Sequence, residues 1–319
     1  MPHPHLRRLP LWALSAAASL AALAPSNSRA LIVTDETAAA TPDPALASAL
    51  SALGRWGNNA AAVAVADGWV LTSRHQDSLT SPPNRTVAFG DRRLRALAGE
   101  EGGQVVLQGN TDLRLVRVVE QDGTPAAFGD TLRASAAPVT EDTRVTLAGF
   151  GPGRGELNEE GDAYEHVRVA GAANANPLRS GTNTVSEVGP LEAGEDGTPG
   201  PYEGMAAIAA VFDDLPGTTE ATVGIGDSGG FWLVGDAVRG YELAGITHAV
   251  EFREGEVDPV TGVAPQVIDA FFGQTLIAAD ATPFAARINA VPEPAAAAVL
   301  AAGGMLLLGR RRPAAGRSA

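Results

Sequence analysis

From residue 60 onward, short apolar runs alternate with clusters of glycine, proline, aspartate and asparagine. Ala61-Ala62-Val63-Ala64-Val65-Ala66 reads as a strand, Asp67-Gly68 as a two-residue turn and Trp69-Val70-Leu71-Thr72 as the returning strand. The pattern predicts further strands at residues 85–89, 104–108, 113–119, 144–148, 166–169, 206–212, 230–233 and 243–249. Many short strands separated by turns, without the βαβ alternation of a parallel sheet, predict an all-β sandwich or barrel. Helical signals are sparse. Residues 45–53 follow a break at Thr41-Pro42-Asp43-Pro44 and read as one short helix. Thr282-Pro283 reads as the N-cap and first residue of another, with Phe284 and Ile288 on one face. Two glycine-rich acidic segments, 151–161 and 189–204, read as surface loops without the ligand spacing of a calcium loop.

Both ends of the 319-residue chain break this pattern. Arg7 and Arg8 precede an apolar run over 9–23, and Ser28-Arg29-Ala30 places small residues where a signal peptidase reads. Residues 1–30 are therefore expected to be a signal peptide, followed by a lead-in over 31–57. At the other end, Pro292-Glu293-Pro294 precedes an apolar stretch over 295–309 and then Arg310-Arg311-Arg312. As a helix, that stretch would span about 22 Å, short of the roughly 30 Å hydrocarbon core. The arginines would stay cytoplasmic. The order and spacing over 291–312 resemble the PEP-CTERM sorting signal of Gram-negative bacteria. The resemblance implies an exosortase-type processing enzyme as partner for residues 291–319. It also implies a destination at the cell envelope, the cell surface or outside the cell, with membrane contact through the terminal segments alone.

Composition narrows the chemistry. The chain has no cysteine, which excludes a disulfide framework, a thiol nucleophile and a cysteine zinc site. Its net charge is −14, and seven arginines sit in the two ends against the single acid Glu293, so residues 31–290 are more acidic still. Such a surface repels nucleic acid and anionic lipid.

Peptide-bond hydrolysis by serine needs a nucleophile, a base, a group that orients the base, and donors for the oxyanion. Ser228 lies in Gly226-Asp227-Ser228-Gly229-Gly230, whose glycines permit a sharp turn that aims the Gly226 and Ser228 amides at one point. Taken alone, the pentapeptide is also a plain glycine-rich turn. His75 follows the apolar run ending in Thr72-Ser73-Arg74, where a strand would hold its ring at a fixed point. Asp112 opens the alternating run Asp112-Leu113-Arg114-Leu115-Val116-Arg117-Val118 and could accept the second imidazole N–H.

Together, the segments around His75, Asp112 and Ser228 resemble the three catalytic segments of trypsin/chymotrypsin-like serine proteases, in that family's order. Val145-Thr146-Leu147-Ala148-Gly149-Phe150-Gly151 is similar to the strand opening the family's second barrel. Leu243-Ala244-Gly245-Ile246-Thr247 is similar to its cleft-wall strand, and 281–290 to its terminal helix. The resemblance covers 58–290. It implies two antiparallel six-stranded β-barrels, about 58–137 and 138–280, with a short C-terminal helix. It further implies His75 as base, Asp112 as its orienting acid, Ser228 as nucleophile, and Gly226 and Ser228 as the oxyanion hole. The implied substrate is a protein or peptide, with no cofactor and no metal. By the same alignment Thr222 is the floor of the primary substrate pocket, and His248, Ala249 and Val250 lie along it. The neutral floor and Val250 at the rim imply small or medium apolar side chains. His248, Ala249 and Arg74 depart from the family pattern. They leave open a second use of the fold, as a non-catalytic binding module of the envelope or extracellular matrix. The partner of Asp227 is also open: a freed N-terminus at Leu31, or an internal group.

Overall fold

The computed structural model describes residues 31–33, 42–57, 60–76, 85–107, 109–151, 153–158, 161, 163–167, 178–192, 201–213, 219–224, 226–251, 253–254, 266–267 and 270–291. The expected export segment 1–30 and the tail from 292 lie outside them. Among the described residues, no helix is long and apolar enough to cross a membrane.

Two closed six-stranded antiparallel barrels form the molecule. The first uses β1 (Leu53–Trp56), β2 (Ala60–Ala66), β3 (Trp69–Ser73), β4 (Thr86–Phe89), β5 (Arg92–Ala96) and β7 (Leu113–Val119). The strand order is β3-β2-β1-β4-β5-β7, and pairing of β3 with β7 closes the ring. β6 (Gln104–Val106) takes the part of the β7 edge that β5 leaves free. The second barrel runs β9-β10-β13-β12-β11-β8, from β8 (Arg144–Gly149), β9 (Arg179–Pro190), β10 (Ala206–Phe212), β11 (Phe231–Asp236), β12 (Gly240–Val250) and β13 (Gln274–Asp280). Closure leaves these strands no open edge.

Strand alternation sorts the apolar residues into three cores. On β7, Val116 and Val118 fill the first barrel with Trp56, Val70, Val87 and Leu94. Leu113 and Leu115 point the other way, into a cluster shared by both barrels. On β11, Trp232 enters the second barrel, while Phe231 and Leu233 join the shared cluster. Strands buried on both faces read as apolar runs rather than alternations, as β2 does.

The first barrel begins at Leu53 rather than at residue 58. The helix of the lead-in, α1 (Pro44–Ser51), is capped by Asp43, whose Oδ1 accepts the Leu46 N–H at 2.9 Å. It stops before Leu53, which β1 recruits. Sequence periodicity also missed β5, β9 and β13. Residues 153–157, expected in a loop, form a strand paired with Ala163–Val167. At the C-terminal end, Thr282–Phe284 is a 3-10 turn and α2 (Ala285–Asn289) follows. Ala285 and Ile288 are the buried residues there, whereas Phe284 is only partly covered.

Candidate active site

The register of the first barrel places the first two site residues. Ser73 at the end of β3 pairs with Leu113 at the start of β7. The next residues continue the zipper: the Arg74 N–H donates to the Asp112 carbonyl at 2.6 Å and the His75 N–H to Asp112 Oδ1 at 2.7 Å. His75 Nδ1 then lies 2.6 Å from Asp112 Oδ2. Asp112 is fully buried and His75 is partly exposed. Arg74 is exposed.

The third residue arrives from the second barrel. The Ala61 N–H on β2 donates to the Ser228 carbonyl at 2.8 Å, and the Thr72 hydroxyl donates to the Ala61 carbonyl at 2.7 Å. Gly229 has φ +81°, and a Cβ there would meet Ala61 O at 2.1 Å, so this close approach requires glycine. The seam brings Ser228 Oγ within 3.0 Å of His75 Nε2. Gln76 Nε2 also reaches His75 Nε2, at 3.2 Å.

The turn before Ser228 is pinned from inside. Asp227 is fully buried. Its Oδ1 accepts the Gly151 N–H at 2.7 Å and its Oδ2 the Gly224 N–H at 2.9 Å. The Asp227 N–H donates to the Gly224 carbonyl, and the Gly230 N–H to the Asp227 carbonyl. A Cβ at Gly149 or Gly151 would strike the Asp227 carboxylate, at 2.0 and 2.3 Å. Among the described residues, the Gly226 and Ser228 amide N–H groups have no acceptor, and Gly226 has φ +109°. These are the two amides expected to serve an oxyanion.

The Asp227 carboxylate is held by two backbone N–H groups, with the Arg179 charge as a smaller contribution. Burial pushes the carboxyl up to about 6, against the two backbone hydrogen bonds and the Arg179 charge. Arg179 also donates to the Leu31 carbonyl at 2.9 Å. The entering chain is inserted there: Ile32 and Val33 pair with Thr222 and Ala221, and Leu31, Ile32 and Val33 are all buried.

The other expected residues divide. Thr222 is fully buried and its hydroxyl donates to Gln274 Oε1 at 2.8 Å, which leaves the position uncharged. Ala249 and Val250 end β12, and Val250 packs against the second-barrel core. His248 turns its ring to Asp112: its Nδ1 lies 2.7 Å from Asp112 Oδ2. Sequence alone carried no signal for that bond. His75, Asp112 and His248 present atoms within 4.8 Å of one another. Both imidazole Nδ1 atoms lie within hydrogen-bond distance of the one oxygen, Asp112 Oδ2. Burial alone would raise the Asp112 carboxyl, but hydrogen bonds from His248 and His75 outweigh it and hold it at about 2.

No protein-family model matches the chain, and no curated protein matches it. Among solved structures, it is similar to the crystal structure of Rv3671c from M. tuberculosis H37Rv, a serine-to-alanine mutant in its inactive form. That likeness is 17% identical, covers 86% of this chain and 98% of that one, and has a TM-score of 0.41. The Rv3671c protease in its inactive form is 16% identical over 79% of this chain and 99% of that one, with a TM-score of 0.43. Likenesses this distant add nothing to what the strand pairings already establish: a double β-barrel with a histidine bridging an aspartate and a serine at its seam.

Proposed function

We propose that the protein is a serine endopeptidase acting through an acyl-enzyme. One observation carries this: the His75 ring spans Asp112 Oδ2 at 2.6 Å and Ser228 Oγ at 3.0 Å. In the step this geometry supports, Ser228 Oγ attacks the scissile carbonyl carbon while its proton passes to His75 Nε2. The Nδ1–H of the resulting imidazolium stays on the Asp112 carboxylate, which stabilises the new positive charge. The carbonyl oxygen gains a negative charge where the Gly226 and Ser228 amides can donate to it. His75 returns its proton to the leaving amine, and water then repeats the sequence to free the acid and regenerate Ser228.

The proposed substrate is a protein or peptide, with an uncharged side chain at the position facing Thr222. The proposed place of action is the cell envelope, the cell surface or the exterior, reached by cleavage of residues 1–30 and by recognition of residues 291–319 by an exosortase-type enzyme. No metal or cofactor enters the mechanism. A fluorophosphonate probe should label the wild-type protein and not Ser228→Ala. Absence of labelling in a correctly folded wild type would overturn the proposal and favour a non-catalytic binding module.

A further inference from the structure

Asp112 receives more donors than peptide hydrolysis requires. Its Oδ1 accepts the His75 backbone N–H, while its Oδ2 accepts from the Nδ1 atoms of both His75 and His248, at 2.6 and 2.7 Å. The two imidazoles meet edge-on, with centroids 5.5 Å apart and planes at 81°. His248 is the less exposed of the two. An imidazole is an unusual second donor to a buried carboxylate, because it can itself become a cation within the neutral pH range.

We propose that His248 is a positioning residue for the triad and a titrating competitor of His75 for the single charge on Asp112. As a neutral ring, its Nδ1–H fixes the carboxylate that orients His75. As a cation, it neutralises that carboxylate. His75 must itself become a cation when it takes the Ser228 proton, and two imidazoliums 5.5 Å apart would then share one carboxylate. The protonated His248 form is therefore inactive. Activity on the acid side should depend on two protons rather than one. The direction agrees with the state of Asp112, for which the His248 hydrogen bond is foremost among the contacts that offset burial.

The surroundings contain little else that could produce this effect among the described residues. Tyr202 lies on the other side of His248, with ring centroids 5.2 Å apart at 80°. Its phenol is pushed up by burial and by Asp112, against the charges of Arg74 and Arg114, so it stays neutral where imidazole titrates. From β13, Ile277 and Ala278 oppose Ala249 and Thr247 beside His248 and are apolar. On its own strand, the nearest acid is Glu251 just past β12, whose Oε2 accepts the Thr275 N–H at 3.1 Å. Met205 Sδ contacts the Asp112 N–H at 3.2 Å and does not titrate.

The test rests on the peptidase function proposed above and is arranged so that the two can fail separately. The rate of fluorophosphonate labelling is followed from pH 8 into acid for wild type and His248→Ser, whose hydroxyl can donate to Asp112 but cannot titrate. Wild type should lose labelling with a limiting slope approaching about a hundredfold per pH unit, the signature of two protons. His248→Ser should label about tenfold more slowly at pH 8 and fall by only about tenfold per pH unit. A purely structural role would lower the rate without changing the slope. A one-proton wild-type slope, or two curves of the same shape, would overturn the inference and leave the peptidase function standing. If wild type does not label at any pH, the peptidase function fails. ¹⁵N-histidine NMR of Ser228→Ala then decides the inference alone: coupled, two-step titration of the His75 and His248 rings supports it, and independent one-step titrations overturn it.

Discussion

Two buried carboxylates lie within one site and are perturbed in opposite directions. Asp112 is held at about 2 because burial is outweighed by donors on its oxygens. Its ionised form thus stabilises the fold above the ordinary carboxylate range by roughly 2 kcal/mol, and that contribution disappears as pH falls toward 2. Asp227 is raised to about 6, chiefly by burial. Between the ordinary carboxylate range and 6, the folded chain keeps a proton that the unfolded chain has lost. Stability therefore declines as pH rises through that window, by roughly 3 kcal/mol at most, and is level above it. Asp227→Asn removes the titration but turns an amide N–H toward the Gly151 or Gly224 N–H, at a cost of about 1–3 kcal/mol. In urea unfolding, the variant should be clearly weaker than wild type near pH 4.5. The deficit should shrink or reverse near pH 7.5, and a deficit that does not change with pH would show that Asp227 is not the group responsible.

At the scale of elements, the site is built from strand ends and one tight turn. β3 and β7 deliver His75 and Asp112 because their register continues two residues past the ladder. The Ser228 turn is delivered by the Ala61–Ser228 bond and by the glycine that permits it. Gly229→Ala would combine an unfavourable φ with a backbone clash against Ala61 O. It is expected to slow probe labelling by at least about a hundredfold while far-ultraviolet circular dichroism still reports folded barrels. Labelling at the wild-type rate would show that the seam does not place Ser228. Elements also mark where the sequence pattern was readable. β2, β3, β7 and β10 are apolar runs and were legible. β9 was not, because its inward positions include Gly181 and Asn183. Gly181 makes room for Ala221 and Val33, and the Asn183 side chain donates to the Val211 and Ala221 carbonyls at 3.1 and 3.0 Å. β1 was masked by the helix-like alanine and leucine spacing just before it.

Across the whole molecule, the apolar cluster shared by the barrels is the physical link between Ser228 on one side and His75 and Asp112 on the other. Phe231, Leu243 and Ile246 from the second barrel meet Val63, Leu71, Leu113 and Leu115 from the first. The lead-in is part of the same body, since Leu31, Ile32 and Val33 join the second-barrel core. If residues 1–30 are removed as proposed, the mature chain is expected to begin at Leu31, which intact-mass measurement of the mature protein would check. An N-terminus beyond Val33 would contradict it, because the Ile32–Thr222 pairing and the Arg179–Leu31 bond would be missing. The sequence by itself determined the all-β class, because short apolar runs and turn residues are local patterns, and its resemblance to three catalytic segments singled out His75, Asp112 and Ser228 as candidates. Only the tertiary structure decided the β1 and β9 pairings, the Gly151 and Gly224 amides as partners of Asp227, and the turn of His248 onto Asp112. Most of these join residues far apart in the chain, and their energies come from burial and charge that no local pattern records.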